Sequence, residues 1–256
     1  MQTATAIAEG KYLYCIIASD EAHTFASRGV GERGDDVHLI VGDGLAAVVS
    51  DSPIVEYESS RRNMLAHTRV LEEVMQAHAL LPVRFGIIAP DEAAIARQLR
   101  GPKAEQLRAQ LARIEGKLEL GLKAFWFEEV IFAEIVADSA EIRRLRDSLA
   151  GRAPEETYYE RIKLGELIEG EMVRRRAIDA ARIMDALRPL ADEAQVNAVI
   201  IDRMVVNAAF LLPREHEAAF DAAVQALDAE LGKRLLFKVV GPVPPYNFVS
   251  LMIGWD

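Results

Sequence analysis

From Leu118 the chain reads Leu-Glu-Leu-Gly-Leu-Lys-Ala-Phe-Trp, with an apolar residue at every second position through Trp126. A β-strand sends successive side chains to opposite faces, so this alternation fixes a strand with one apolar face. Such a strand needs neighbours in a sheet and a layer packed on its apolar side. The following residues supply both. Helical material runs from Glu128 to about Pro189, broken at Gly151 to Pro154. Val196 to Ile201 and Val205 to Leu212 then read as strands, with Asp202-Arg203 at the turn. Pro213 opens a helix with Phe220, Val224, Leu227 and Leu231 on one face, Gly232 stops it, and Leu235 to Val240 is a last strand. The order is β-α-β-β-α-β, a modified ferredoxin-like string whose first helical crossover is enlarged. It predicts a four-stranded antiparallel sheet in the order 4-1-3-2, with residues 118–127 central.

The first half is a second α+β unit. Lys11 to Ala18 reads as a strand buried on both faces. After a glycine-bearing loop, Val37–Val41 and Leu45–Ser50 form a hairpin around Gly42-Asp43-Gly44. Arg61 to His78 is a helix with Met64, His67, Leu71, Val74 and His78 on one face. Leu81 to Ile88 reads as another buried strand, and Asp91 caps a helix to Arg100. Gly101-Pro102 punctuates before a helix carrying Leu107, Leu111 and Ile114. The expected architecture is α+β in two domains, residues 1–115 and 116–256, with proteolytic nicking at Gly101-Pro102 or Gly151 to Pro154.

Charge and cysteine usage narrow the function classes. With 30 Lys+Arg against 40 Asp+Glu, the net charge is −10. Binding to phosphate backbones draws on clustered cations, so this balance argues against nucleic acid and against anionic membrane surfaces. The run Arg174-Arg175-Arg176 fans around a helix and reads as a solvated face. Cys15, the single cysteine, lies in an apolar run and reads as a buried hydrophobe. No secretory signal is evident, and Val196 to Leu212, the longest apolar candidate for a membrane span, is cut by Asp202 and Arg203. The expectation is a soluble protein of a reducing cytoplasm.

Motifs for catalysis or cofactors do not survive their structural context. Gly29-Val30-Gly31-Glu32-Arg33-Gly34 matches a dinucleotide fingerprint as a string, but it leads into a strand and is followed by Asp35 and Asp36. His67 and His78 sit about 16 Å apart along a helix, too far to share one ion. His23, His38 and His216 lack neighbours at ligand spacing. No cofactor, metal or catalytic residue is expected.

Two segments stand out. Leu81-Pro82-Val83-Arg84-Phe85-Gly86 sets a proline at a strand start and an arginine within it, and that arginine must pair, snorkel or face a partner. Gly241-Pro242-Val243-Pro244-Pro245-Tyr246-Asn247-Phe248-Val249 locks an extended path through its prolines. Two roles are open to this tail of residues 242–256: a rigid segment packed back on the N-terminal domain, or a pre-ordered recognition surface. The candidate partner contacts are therefore Val83, Arg84, Phe85, Pro244, Pro245 and Tyr246.

At these residues the chain resembles the GvpF/GvpL family of gas vesicle proteins. The matching elements run in order: Tyr12-Leu13-Tyr14, Leu45 to Ser50, Asn63 with His67 and Val70-Leu71-Glu72, and Leu81 to Gly86. Gly116-Lys117-Leu118-Glu119, Asn207-Ala208-Ala209-Phe210-Leu211 and the Gly-Pro-x-Pro-Pro-Tyr-x-Phe ending complete them. Val243 stands where the family usually has tryptophan, which keeps an apolar contact and removes an indole hydrogen bond. The resemblance implies two α+β domains, the second a modified ferredoxin-like fold. It also implies an accessory or minor structural role at the gas vesicle, a hollow protein shell. The implied partners are the small, very apolar main shell protein and other gas vesicle accessory proteins, with chaperone-like assistance to assembly. No catalytic residue carries over. Against this stand a small-molecule-binding regulatory module of ferredoxin-like type, which fold alone cannot separate, and an enzyme with a carboxylate site, which no motif supports.

Overall fold

The structure, a computed structural model, describes residues 8–251 and 253–255. The chain divides into two compact units, Met1–Glu119 together with Pro242–Asp256, and Leu120–Gly241.

The first unit is built on β1 (Glu9–Ala18), β2 (Thr24–Arg28), β3 (Asp36–Gly42) and β4 (Leu45–Pro53). After them come α1 (Arg61–Met75), β5 (Leu80–Pro82), β6 (Ile88–Ala89), α2 (Glu92–Gln98) and α3 (Pro102–Ile114). The sheet order is β2-β3-β4-β1-β5, with β6 also pairing β1. Every pairing in it is antiparallel. The β3–β4 hairpin closes on Asp43 and Gly44, both at positive φ (57° and 74°), the geometry that a two-residue primed turn requires. Tyr12, Tyr14 and Ile17 of the inner strand β1 pack with Val70, Leu71 and Val74 of α1 in one buried cluster. On α1 the buried face is His67, Val70, Leu71 and Val74; Met64 stays exposed, and the helix ends before His78.

Two features depart from the sequence expectation. Strand β2 lies where only a loop was expected. It is a sheet edge with an irregular register, and its Ala26 and Ser27 N–H groups donate to the Glu73 carboxylate of α1 at 2.7 and 2.8 Å. A side chain therefore closes an edge that would otherwise stand open. Second, residues 81–88 are not one strand. Cys15 pairs with Pro82 and Tyr12 with Ile88, while the residues between leave the ladder through a turn at Gly86, whose φ is 88°. The excursion is pinned where Val83 N–H donates to Tyr14 O and Leu13 N–H to Ile87 O, each at 2.9 Å.

The second unit contains β7 (Lys117–Trp126), α4 (Glu128–Asp138), α5 (Ala140–Leu149), α6 (Tyr158–Leu187), β8 (Glu193–Val196), β9 (Met204–Pro213), α7 (Glu217–Leu231) and β10 (Leu235–Val243). Its sheet order is β10-β7-β9-β8. A polar chain crosses its interior. The Trp126 indole N–H donates to Asp179 at 2.8 Å, Arg234 bridges Asp179 (2.6 Å) and Glu134 (2.8 Å), and Arg175 reaches Asp138 at 2.5 Å. Only Arg174 of the arginine run is a solvated residue; the other two turn inward. Arg175 is buried, and Arg176 donates to the carbonyls of Met204 and Asp202 at 3.0 and 2.6 Å. Residues 196–201 also differ from the strand expected there. Strand β8 ends at Val196, and the next residues form a loop in which the Asn207 side-chain amide donates to Ala198 O at 2.9 Å.

Candidate functional site

In the first unit the excursion 83–87 and the tail 244–249 meet around His67. The α1 periodicity turns His67 inward, and the β1 alternation brings Tyr12 to meet it. Its Nδ1 lies 3.0 Å from the Tyr12 hydroxyl and its Nε2 3.0 Å from that of Tyr246. The Tyr12 oxygen accepts from Gly86 N–H at 2.9 Å, and the Tyr246 hydroxyl donates to Val83 O at 3.4 Å. Satisfying every group gives one direction. Tyr12 O–H donates to Nδ1, and Nε2–H donates to Tyr246, whose proton goes to Val83. An imidazolium would leave the Tyr12 proton without an acceptor. Burial therefore holds His67 down at about 4, against the opposing pull of the Val83 carbonyl, and the same burial pushes the Tyr12 and Tyr246 phenols up and Tyr14 to about 12.

The tail is fixed further along. Asn247 donates through its backbone N–H (3.0 Å) and side chain (2.6 Å) to the two oxygens of Glu119, a carboxylate that lies buried although its position alternates with the apolar residues of β7. Burial raises the Glu119 pKa and the Asn247 donors oppose it. Arg113 donates to Phe248 O, and Gln98 to Gly254 O at 2.9 Å. Of the six candidate contacts, Val83, Pro244 and Pro245 are buried, Phe85 is half-buried against the core cluster, and Arg84 and part of Tyr246 reach solvent. Arg84 makes no ion pair or hydrogen bond among the described residues.

The second unit carries a groove of about 680 Å³ that sequence reading did not identify. Its long wall is one face of α6, where Gly165, Ile168, Glu169, Met172, Val173 and Arg176 follow one another at helical spacing. Ile131 and Phe132 of α4 and Ile201 of the β8–β9 loop complete it. Val173 (55%), Ile201 (44%) and Phe132 (36%) leave much of their surface in water. Gly165 is the unusual member. A glycine in a helix interior costs about 1 kcal/mol relative to alanine. Here a Cβ would meet nothing within 4 Å, so no neighbour inside the chain calls for glycine.

Comparison with known proteins decides the family. A profile described as "Gas vesicle synthesis protein GvpL/GvpF" matches residues 10–250. The chain belongs to the GvpL/GvpF family. It is 30% identical over 247 residues to gas vesicle protein F of Nostoc sp. (strain PCC 7120), covering 96% of this chain and all of that protein. Gas vesicle protein F of Dolichospermum flosaquae is 31% identical, covering 94% of this chain and 97% of its own. The crystal structure of GvpF from Anabaena sp. PCC7120 superposes with a TM-score of 0.81 at 30% identity, over 95% of this chain and 99% of that one. The mixed α/β architecture with antiparallel sheets is thus that of GvpF, and a gas-vesicle-associated role comes with the family. Among the described residues no helix is long and apolar enough to cross a membrane.

Proposed function

We propose that this chain is a non-catalytic assembly factor that binds the main apolar gas vesicle shell protein, together with other gas vesicle accessory proteins, at the cytoplasmic growing vesicle. The observation that carries this reading is the likeness to gas vesicle protein F in sequence and fold over almost the full length of both chains. Unassembled shell protein must expose large apolar faces, which drive aggregation in water. A partner of net charge −10 covers such a face and lends the complex colloidal repulsion.

The finer architecture belongs to the same proposal. We read residues 1–115 and 116–256 as two domains, the second ferredoxin-like, with the tail 242–256 returning to the first. The strand order β10-β7-β9-β8 and the tail's bonds to His67, Val83 and Glu119 support this reading. At the candidate contact, Val83, Pro244 and Pro245 serve as the buried support, while Arg84, Phe85 and Tyr246 are the groups a partner can touch. The test is co-purification with co-expressed main shell protein, alongside far-UV circular dichroism and melting temperature. Arg84→Glu is expected to lower recovery several-fold with the fold intact. Full recovery by this variant removes the surface from consideration, and no recovery by the unmodified chain removes direct binding itself.

A further inference from the structure

Strands β7 and β10 of the second unit carry a charge arrangement that the sheet itself does not explain. Phe127 N–H donates to Arg234 O at 3.0 Å, and a Cβ on Gly121 would lie 3.8 Å from that of Val240. From the first pair to the second, β7 runs back and β10 runs forward by the same number of residues, so the strands are antiparallel with an unbroken register. That register sets Lys123 directly opposite Lys238, with Cβ atoms about 5 Å apart on one face. The face is the one turned away from α6, since Trp126, on the other face of β7, reaches Asp179 of that helix. Lys238 is held there by the Phe125 ring, whose centroid lies 5.7 Å from its Nζ. Like charges directly opposite one another destabilise a sheet. Neither lysine makes an ion pair among the described residues. The two strands contain one carboxylate, Glu119, and Asn247 occupies both of its oxygens. Arg203, also over Phe125, shares the α6 groove with Glu128 and Asp202 and is a separate neighbourhood of mixed charge.

A lysine on an edge strand ordinarily keeps other strands away. Lys238 suffices for that, because β10 ends the sheet order; Lys123 lies on the inner strand β7 and guards no edge. The edge itself is open. The Arg234 carbonyl points toward β7, so the backbone groups of Phe237 and Val239, at odd offsets from it, point outward. Val239 (40%), Val240 (49%) and Lys238 are exposed along this edge. Unpaired backbone donors and acceptors select a strand as occupant, and the lysine pair selects its charge. An antiparallel strand added there sets one row of side chains beside Lys238 and the alternate row, on the other face, beside Phe237 and Val239. Complementarity makes the first row acidic and the second apolar. We propose that β10 is a docking edge for an extended segment of a partner protein in which Asp or Glu alternates with apolar residues, its carboxylates neutralising Lys123 and Lys238. The inference does not depend on the shell-protein reading and uses none of the residues assigned to that contact.

The probe is a blocked peptide of alternating valine and glutamate, about as long as β10, titrated into the full chain by isothermal calorimetry. In the antiparallel geometry the valines opposite Phe237 and Val239 turn their N–H groups to β10, while the glutamate N–H groups point away. N-methylation of the valines is therefore expected to abolish binding, and N-methylation of the glutamates to preserve it. The double variant Lys123→Gln/Lys238→Gln is expected to weaken binding at least tenfold, by order of magnitude, and to remove most of its salt dependence. Lys123→Glu sets a carboxylate opposite Lys238, so this variant is expected to raise the melting temperature while weakening the peptide. No binding of the peptide by the unmodified chain, unchanged binding by the double variant, or equal binding of the valine-methylated peptide overturns the inference. Displacement of the peptide by equimolar citrate makes the lysines a small-anion site and overturns it. A dimer by light scattering that excludes the peptide assigns the edge to a second copy and likewise overturns it.

Discussion

Acidification should weaken the first unit through one residue, His67. Its imidazole is buried among Tyr12, Tyr14, Phe85 and Tyr246, with both nitrogens already engaged by neutral hydroxyls and no carboxylate beside it. Native His67 therefore takes up a proton only near pH 4, whereas the unfolded side chain does so near 6.5. Between those values the unfolded state binds more protons, so stability falls as pH falls, and below about 4 the dependence from this group vanishes. At 1.36 kcal/mol per pKa unit, moving from about pH 7.5 to 4.5 removes about 2.5 kcal/mol. Other groups also titrate, and Glu119, with its pKa raised, acts in the opposite sense, losing stability as pH rises. The assay is thus a difference: urea unfolding of the unmodified chain and of His67→Gln across the range, followed by far-UV circular dichroism. The variant is expected to be less stable at neutral pH, with the gap narrowing by about 2.5 kcal/mol at pH 4.5 as the penalty of charging a buried imidazole disappears. The His67 ring resonances should not titrate above about pH 5. A gap that stays constant with pH, or a ring that titrates near 6.5, refutes the reasoning.

Two further changes probe the polar anchors of each unit. Asn247→Ala removes a donor to the buried Glu119 carboxylate and is expected to cost about 1.5–3 kcal/mol at pH 8. Because burial raises the Glu119 pKa, the loss should shrink as pH falls and the carboxylate protonates, and urea unfolding across a descending pH series reads it. Asp179→Ala strands the buried Trp126 N–H and takes one of two carboxylates from Arg234, for a loss of about 3 kcal/mol. Asp179→Asn keeps an acceptor for the indole and should lose less, with unfolding followed by tryptophan fluorescence.

Elements written in local pattern were legible. The Asp43-Gly44 turn, the Asp91 cap that accepts from Ala94 N–H at 2.7 Å and the alternating strand β7 all follow from neighbouring residues. Strand β2 was not, because the group that satisfies its outer edge is Glu73, 46 and 47 residues away from Ser27 and Ala26. The interior of the Arg174–Arg176 run was hidden for the same reason. Helical geometry spreads the three side chains in different directions, but only the fold puts Glu134 and Asp138 where Arg175 points. The break in residues 81–88 had visible signals in Pro82 and Gly86, and they were outweighed by the apolar residues around them.

The two candidate surfaces differ in how sequence could betray them. Arg84 and Tyr246 stand out because each breaks a local rule, an arginine in an apolar run and an aromatic ring behind two prolines. The α6 groove breaks none that strongly, since apolar residues at helical spacing ordinarily mean a core face. Val196 to Ile201 was misread on similar grounds: its β-branched composition suits a strand, whereas Ile200 in fact faces water. Composition reports what a segment could bury, and only the fold decides whether anything in the same chain covers it. A helix-interior glycine carries different information. It weakens the helix whatever surrounds it, so where the chain's own packing leaves its Cβ space empty, as at Gly165, the fold gains nothing that offsets the loss. Gly170 has the same empty space off this groove, so the glycine alone does not locate a site.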